Sequence, residues 1–241
     1  MLTKQEIKSI RNTPDDLLLD KFPEYTRKFL RSIKNGTYKK QKVYVIDIET
    51  APITAYAWGI WEENIQLDRI VRDWFVICFS VKELGKKNII SHRLTAREVK
   101  RGDDKRIMKK MRDILDDADI VIAHNGDRFD IRKINARFMV HGIKYPSPYK
   151  SIDTLKVVKR EFNLTSNKLD YICHLLGIKG KIDTGGQRLW NECLQGSEQA
   201  LVKMSRYCDN DIKILEKVFI RLQPYMRTNP KSWDVKLNYT I

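Results

Sequence analysis

Acids stand where a buried core is expected in three stretches of this sequence. In KVYVIDIETAP, residues 42–52, an apolar run ends on Asp47 and Glu49. Side chains alternate across a strand, so residues two apart share a face, while Ile48 between them turns the other way into the core. Carboxylates held this close repel each other, and an ionised group in a low-dielectric site is costly unless a cation meets it. A divalent ion such as Mg²⁺, a hard cation that takes oxygen ligands, removes the conflict. Salt bridges to Lys or Arg are the plainer alternative for so short a motif.

In IVIAHNGDRFD, residues 120–130, a strand ends at His124 and a turn passes through Asn125 and Gly126. Asp130 then begins a helix whose Ile131, Ile134 and Phe138 face the sheet. Asp130 leans toward the same interior, although helix capping also accounts for a first-turn acid, a job that Asp127 would do as well. In MSRYCDNDIKIL, residues 204–215, helical spacing puts Met204, Tyr207, Asp211, Leu215, Val218 and Leu222 on one stripe. The same spacing turns Asp209 about 200° away, into solvent. Tyr207 and Asp211, one turn apart in an apolar stripe, are either a chemical pair or a hydroxyl bonded to a carboxylate for packing.

Taken together, D-x-E at 47–49, N-x-x-x-F-D at 125–130 and Y-x-x-x-D at 207–211 resemble the DEDD superfamily of 3′-5′ exonucleases, in its tyrosine-bearing (DEDDy) branch. The set is similar to the proofreading domains of family-B DNA polymerases and covers about residues 42–222. Position 206, where the histidine branch would have His, is Arg206. The resemblance implies a ribonuclease-H-like fold, with Asp47, Glu49, Asp130 and Asp211 holding two Mg²⁺ or Mn²⁺ roughly 4 Å apart. It also implies that Tyr207 orients or deprotonates the attacking water, with nucleoside 5′-monophosphates leaving a 3′ end. Asn125 and Phe129 would touch the terminal nucleotide, although Phe129 is equally explained as core. Ser166, Asn167 and Lys168, in FNLTSNKLDYICHLLGI, match the segment beside the substrate strand, with helix capping as their alternative.

Some neighbours invite simpler readings. Tyr56, Trp58 and Trp61 in AYAWGIW would stack on a frayed base if exposed, but aromatics in a strand ordinarily pack inward. The loop GIKGKIDTGGQR, residues 177–188, lacks a phosphate-cradling P-loop and is a solvated loop or a flap over single-stranded substrate. Asp153 is expected to cap the following helix, Asp183 is a spare acid, and His124 needs no role beyond packing.

The elements that must position these groups are an α/β set. Strands are expected at 42–48, around 56–60, at 74–82, 88–93, 119–123 and near 149–152. Helices are expected at 103–117, 130–141, twice within 153–176, and at 197–222. Early strands joined by short turns, followed by alternation, argue for a ribonuclease-H-like mixed sheet flanked by helices over 41–241. Residues 1–40 read as a separate all-α segment of three short helices. Thr3 and Glu6 form a capping box for the first, Thr13-Pro14-Asp15-Asp16 starts the second, and the third runs from Glu24 to Ile33. Ten basic against five acidic residues give this segment the look of a helix-turn-helix module, or of a helical extension docked on the main domain.

Across 241 residues, 46 Lys and Arg against 31 Asp and Glu leave a net charge of +15, a balance that suits polyanions. Single-stranded or frayed DNA is the expected partner, with RNA open because the same metal chemistry cleaves either. Such a chain either works alone or edits in trans for a separate DNA polymerase. No apolar run is long enough for a membrane span and no signal peptide opens the chain, so a cytoplasmic protein is expected. The four cysteines are far apart and read as reduced, buried thiols. A fold retained for nucleic-acid binding alone is disfavoured by the complete set of acids, and a transcription regulator led by the N-terminal helices would leave those acids unexplained.

Overall fold

In the computed structural model, residues 4–22, 27–37, 41–61, 64–178 and 185–226 are described. The N-terminal segment contains α1 (Lys4–Asn12), α2 (Leu18–Lys21) and α3 (Arg27–Lys34). These helices pack on one another around Ile10, Leu18, Leu30 and Ile33, a small core of their own. Thr13 does not cap the second helix as the sequence suggests. Its hydroxyl instead donates to the Ser9 carbonyl at 2.9 Å and closes α1, and α2 is a single turn with no side-chain cap. Lys34 ties the far end by donating to the Thr13 carbonyl at 2.7 Å and pairing with Asp15. Thr3 and residues 23–26, including the expected start of the third helix, lie outside the described residues.

The main body is a mixed sheet with helices on both faces. Its strands are β1 (Val43–Thr50), β4 (Val76–Glu83), β5 (Ile89–Arg93), β6 (Ile120–Ala123) and β7 (Lys150–Asp153), in the order β5-β4-β1-β6-β7. A short two-stranded ribbon, β2 (Thr54–Ala55) and β3 (Ile70–Arg72), is inserted between β1 and β4. β1 is central, antiparallel to β4 and parallel to β6, and β6 is parallel to β7. The helices are α4 (Ala96–Arg101), α5 (Lys105–Asp116), α6 (Asp130–His141), α7 (Thr154–Glu161), α8 (Leu169–Leu175), α9 (Gln187–Leu194) and α10 (Glu198–Leu222).

The alternation of β1 decides what faces what. Tyr44, Ile46 and Ile48 join a core with Met108 and Met111 of α5 and Ile134 and Phe138 of α6. Val43 and Val45 join a second core with Val157 and Val158 of α7 and Ile212, Leu215, Val218 and Phe219 of α10. Asp47 and Glu49 continue the odd-numbered series, so the period of two delivers both to the α10 side at the carboxyl end of the central strand.

Four expectations about the elements are corrected. Residues 56–60 are not a strand: only Thr54 and Ala55 pair, with Arg72 and Ile70, and the chain beyond them carries its large side chains outward. α4 was not anticipated, yet Thr95 and Glu98 form a reciprocal capping box at its start and Gly102 ends it at φ 66°. α9 takes the last two residues of the loop expected at 177–188 and fills the stretch before the helix expected from 197, where no element was expected. Asp209 is not solvated. It is half-buried and accepts hydrogen bonds from Ser80 (2.6 Å) and Ser91 of the adjacent strands, because α10 is covered on more than one side, packing on β1, β4 and β5 and also on α7, α8 and α9.

Candidate active site

The acid cluster is assembled at the carboxyl end of β1. Asp47, Glu49 and Asp211 each place a carboxylate oxygen within 4.8 Å of the others. Opposite Asp47 on β4 is Ser80, and opposite Glu49 is Cys78, so both neighbours on that side are small. A shift in the pairing follows Glu49, and the Ala51 amide rejoins the sheet by donating to the Phe75 carbonyl at 2.8 Å. This bulge lets the chain leave the sheet directly after the second acid.

Asp130 arrives from the other side of β1. It is 4% exposed, the N-cap residue Phe129 offers no side-chain cap to α6, and the Asp130 carboxylate accepts from its own amide at the start of that helix. Its Oδ1 accepts from the amide of Ile48 at 3.2 Å, between Asp47 and Glu49 in sequence, so the helix start is pinned to the acid-bearing strand. Asp127 does not cap α6. It pairs with Lys156 at 2.5 Å and accepts from Ser151, which takes it out of the cluster.

The turn that aims Asp130 has strict local requirements. Asn125 adopts a left-handed backbone with φ 66°, and a Cβ on Gly126 would stand 2.4 Å from that of Ala123, so only glycine fits there. Asp153 fastens this turn. As expected it caps α7, accepting from Leu155 at 3.0 Å, and it also accepts from the amides of Asn125 at 2.9 Å and Asp127 at 3.3 Å. That second duty had no signal in the sequence, because it joins residues 26 and 28 positions apart.

The electrostatics are those of acids without enough compensation. Burial raises Asp47 well above the carboxylate range, and Glu49, Asp130 and Asp211 push it further. Glu49 is raised to about 8 by burial, then by Asp211 and Asp130, and Asp130 to about 7, chiefly by burial. The Cys208 thiol donates to Asp47 Oδ2 at 3.2 Å, which lowers Asp47 only in part. A divalent cation is the group that oxygen donors so placed accommodate, and its charge would restore the ionised forms.

Tyr207 is half-buried one turn from Asp211, and burial, then Asp211 and Glu49, keep its phenol protonated above the ordinary range. Trp190 of α9 lies edge-on to it, with ring centroids 6.5 Å apart, and its Nε1 donates to the Thr50 carbonyl at 3.1 Å. Trp190 thus joins the end of β1 to Tyr207. The apolar spacing of Leu189, Trp190, Cys193 and Leu194 is helical, and it is the signal in the sequence that could have found α9.

The remaining expected contacts fall into two groups. Phe129 is 39% exposed, so it is not core, and Lys133 stands over its ring at 5.5 Å. Asn125, Asn167 and Lys168 meet around a cavity of about 460 Å³, with His124, Leu155, Lys159 and Leu169 as its other walls. His124 does more than pack: its Nδ1 meets Thr154 Oγ1 at 2.9 Å and its Nε2 meets the Asn167 carbonyl at 3.0 Å, tying the second motif to the segment before α8. Ser166 Oγ accepts from the Lys168 amide at 3.3 Å in a local turn, and α8 itself has no side-chain cap. Trp58 is 91% exposed on the inserted ribbon's loop. Asp183 and half of the glycine-rich loop, residues 179–184, lie outside the described residues.

No helix among the described residues is long and apolar enough to cross a membrane. Residues 69–223 match the RNase_H_2 family model, of the RNase_H superfamily. A DNA polymerase III of PolC type from Ureaplasma parvum serovar 3 is 25% identical over 94% of this chain, which spans 16% of that relative's length. The family B DNA polymerase of the hyperthermophilic archaeon Pyrobaculum calidifontis shares the fold, with a TM-score of 0.57 and 16% identity over 77% of this chain and 25% of that one.

Proposed function

The chain belongs to the RNase_H superfamily, and from that premise we propose that it is a divalent-metal-dependent 3′-5′ exonuclease that removes nucleoside 5′-monophosphates from single-stranded or frayed DNA. The observation that carries this reading is the meeting of Asp47, Glu49 and Asp211 within 4.8 Å, with Asp130 bonded to the backbone between the first two. These four acids would hold two Mg²⁺ or Mn²⁺. Such ions, when bound, supply an activated water and charge for the departing 3′ oxygen.

The chain's own residues do the rest. Tyr207 orients the water through its hydroxyl, which stays protonated beside Asp211 and is therefore a donor at neutral pH. Phe129, partly exposed beside Asp130, offers a ring face to the terminal base. Asn125, Asn167 and Lys168, around their shared cavity, bind the sugar and phosphates of the terminal nucleotides, with Ser166 shaping the approach of Lys168. The basic N-terminal helices, with a hydrophobic core of their own, form a helix-turn-helix-like module that adds duplex affinity or docks a partner. Similarity to part of a PolC-type polymerase supports a role in replication, with the exonuclease editing for a separate polymerase.

The test is a 5′-labelled strand, offered as DNA and as RNA, incubated with Mg²⁺ or with chelator. A metal-dependent ladder shortening from the 3′ end, absent in Asp47→Ala, is expected, with DNA the faster substrate. Faster RNA cleavage makes the enzyme an exoribonuclease, and tight binding with no shortening refutes nuclease activity.

A further inference from the structure

A large share of the chain's net charge sits on one short stretch. Residues 93–112 hold nine Lys and Arg against three Asp and Glu, a net +6 in 20 residues, whereas the other 221 residues carry +9. The three acids are already engaged: Glu98 pairs with Arg106 at 2.7 Å, Asp104 is buried against Arg137, and Asp103 accepts from the Lys105 amide at 3.1 Å. Arg97, Lys100, Arg101, Lys105, Lys109 and Lys110, on α4 and the first half of α5, are exposed and have no ion-pair partner among the described residues. Arg97 and Arg101, like Lys105 and Lys109, stand one helical turn apart, and like charges at that spacing work against a helix. The fold leaves this repulsion unanswered at its surface, as a ridge that suits an anion from outside.

The ridge lies at the end of the sheet that carries the acid cluster. Glu49 on β1 pairs with Cys78 on β4, and Cys78 pairs with Arg93 on β5, so one row crosses the three strands. Two strand spacings put the Arg93 backbone about 10 Å from that of Glu49. Thr95 then caps α4, and Arg106 of α5 donates both to the Arg93 carbonyl at 2.9 Å and to Glu98, which holds the two helices against the end of β5. The charge is felt there: burial, then Arg106 and Lys110, keep the His92 imidazole below its ordinary range. Exposed Lys86 and Lys87 are at the other end of the sheet, in the turn beyond the pairing of Glu83 with Tyr44. Lys217 is at that end too, because its neighbour Glu216 accepts from the Gly85 amide at 2.8 Å.

We infer that α4 and the start of α5 form a phosphate-binding ridge for a nucleic-acid strand, gripping its backbone a short way upstream of the end that enters the acid cluster. Contacts to phosphate carry no sequence information, so the ridge fixes where the strand lies and leaves the choice of base to other residues. An acidic protein also suits the charge, but the row from Glu49 to Arg93 ties the ridge to the acids, whose proposed substrate is itself a string of phosphates. The placement of the strand's end rests on the nuclease reading; the binding of phosphates does not.

The experiment measures binding without catalysis. The full chain, in chelator, is titrated into 5′-fluorescein oligothymidylate of about 15 nucleotides over a series of KCl concentrations and followed by anisotropy. Each phosphate contact on a single strand contributes about 0.7 to the slope of log affinity against log salt. Arg97→Gln/Arg101→Gln/Lys110→Gln therefore flattens that slope by about 2 and weakens binding by roughly a hundredfold at about 0.1 M KCl. Arg97→Lys/Arg101→Lys/Lys110→Arg keeps the charges and keeps the slope. Lys86→Gln/Lys87→Gln/Lys217→Gln removes as much charge from the far end of the sheet and leaves the slope near that of the parent. An unchanged slope in the first variant, with its melting temperature intact, overturns the inference and gives the ridge to an acidic protein. An equal flattening in the far-end variant overturns it too, because net charge alone then accounts for the loss. If Asp47→Ala cleaves like the parent while the slopes differ as stated, the nuclease reading fails and the ridge stands. If Asp47→Ala is inactive and the slopes are all alike, the ridge fails and the nuclease reading stands.

Discussion

At the start of α5, Asp104 is fully buried and richly served. Its carboxylate accepts from Arg137 Nε and Nη2, both at 2.7 Å at the closest, from the Val76 amide at 2.8 Å, and meets His141 Nε2 at 2.5 Å. At the end of β1, Asp47 is also pressed into the fold, but the groups that act on it are Glu49, Asp130 and Asp211, all acids, and a thiol. An acid surrounded by donors is a structural joint, complete in the folded chain. An acid surrounded by acids is a liability to the fold, and a cation from outside is the group that could complete it. The contrast separates a residue that holds the molecule together from those we propose serve chemistry, and it can be broken by treating the two acids alike.

Removing each acid is the sharpest comparison. Asp104→Ala leaves the Arg137 guanidinium buried without its partner and is expected to cost about 3–5 kcal/mol in a urea melt. Its cleavage rate should fall only with the folded fraction. Asp47→Asn should do the reverse: cleavage lost by more than about 10³-fold, with the chelated protein melting at the same temperature or a few degrees higher at pH 8. A large loss of stability in Asp47→Asn would show that Asp47 is a joint like Asp104.

Within the acid site, Tyr207→Phe keeps the ring against Trp190 and removes the hydroxyl alone. Turnover is expected to slow by about 10²-fold, with oligonucleotide affinity in chelator unchanged. Equal single-turnover rates for the two proteins would take the hydroxyl out of the chemistry and leave the ring as packing.

The acids also give the comparison a pH axis. Glu49 is raised from 4.5 to about 8 and Asp130 from 3.8 to about 7 in the folded chain. Across that window the folded state binds more protons than the unfolded state, so stability falls as pH rises. In chelator the melting temperature is therefore expected to drop steadily from pH 5 to pH 8 and to level off above. Added Mg²⁺ or Mn²⁺ should recover the loss, most at pH 8, because binding to the folded state alone stabilises it. A flat profile without metal would mean that the acids are compensated as Asp104 is.

Much of this contrast was legible in the sequence, for a physical reason. Asp47, Glu49, Tyr207 and Asp211 break apolar periodicities of two and of three to four, and a charge on a core-facing position is visible wherever the period is. The ribbon's aromatics were misread because a run of tyrosine and tryptophan carries strand propensity whether or not anything covers it. Asp209 was misread because a helical wheel assumes one buried face, and α10 is covered from more than one direction. The joints stayed hidden for a simpler reason: Asp104 to Arg137, Asp153 to Asn125 and Trp190 to Thr50 span 33, 28 and 140 residues, and nothing local announces them.

The last of these joints permits the finest test. Trp190 spans the two classes of residue, since its indole N–H holds the Thr50 carbonyl, one residue past Glu49, while its ring edge meets Tyr207. Trp190→Phe keeps an aromatic ring on α9 and deletes the donor, so the cost in stability is that of a single hydrogen bond, about 1 kcal/mol. If the bond only fastens α9, that cost is the whole effect and catalysis at saturating metal is untouched. If it also sets the register of β1 where the acids leave the sheet, the half-saturating Mg²⁺ concentration rises severalfold while turnover at saturating Mg²⁺ stays near the parent value. The second outcome is expected, because the pairing of β1 with β4 shifts at Glu49 and Thr50, and Trp190 holds the carbonyl on the shifted side.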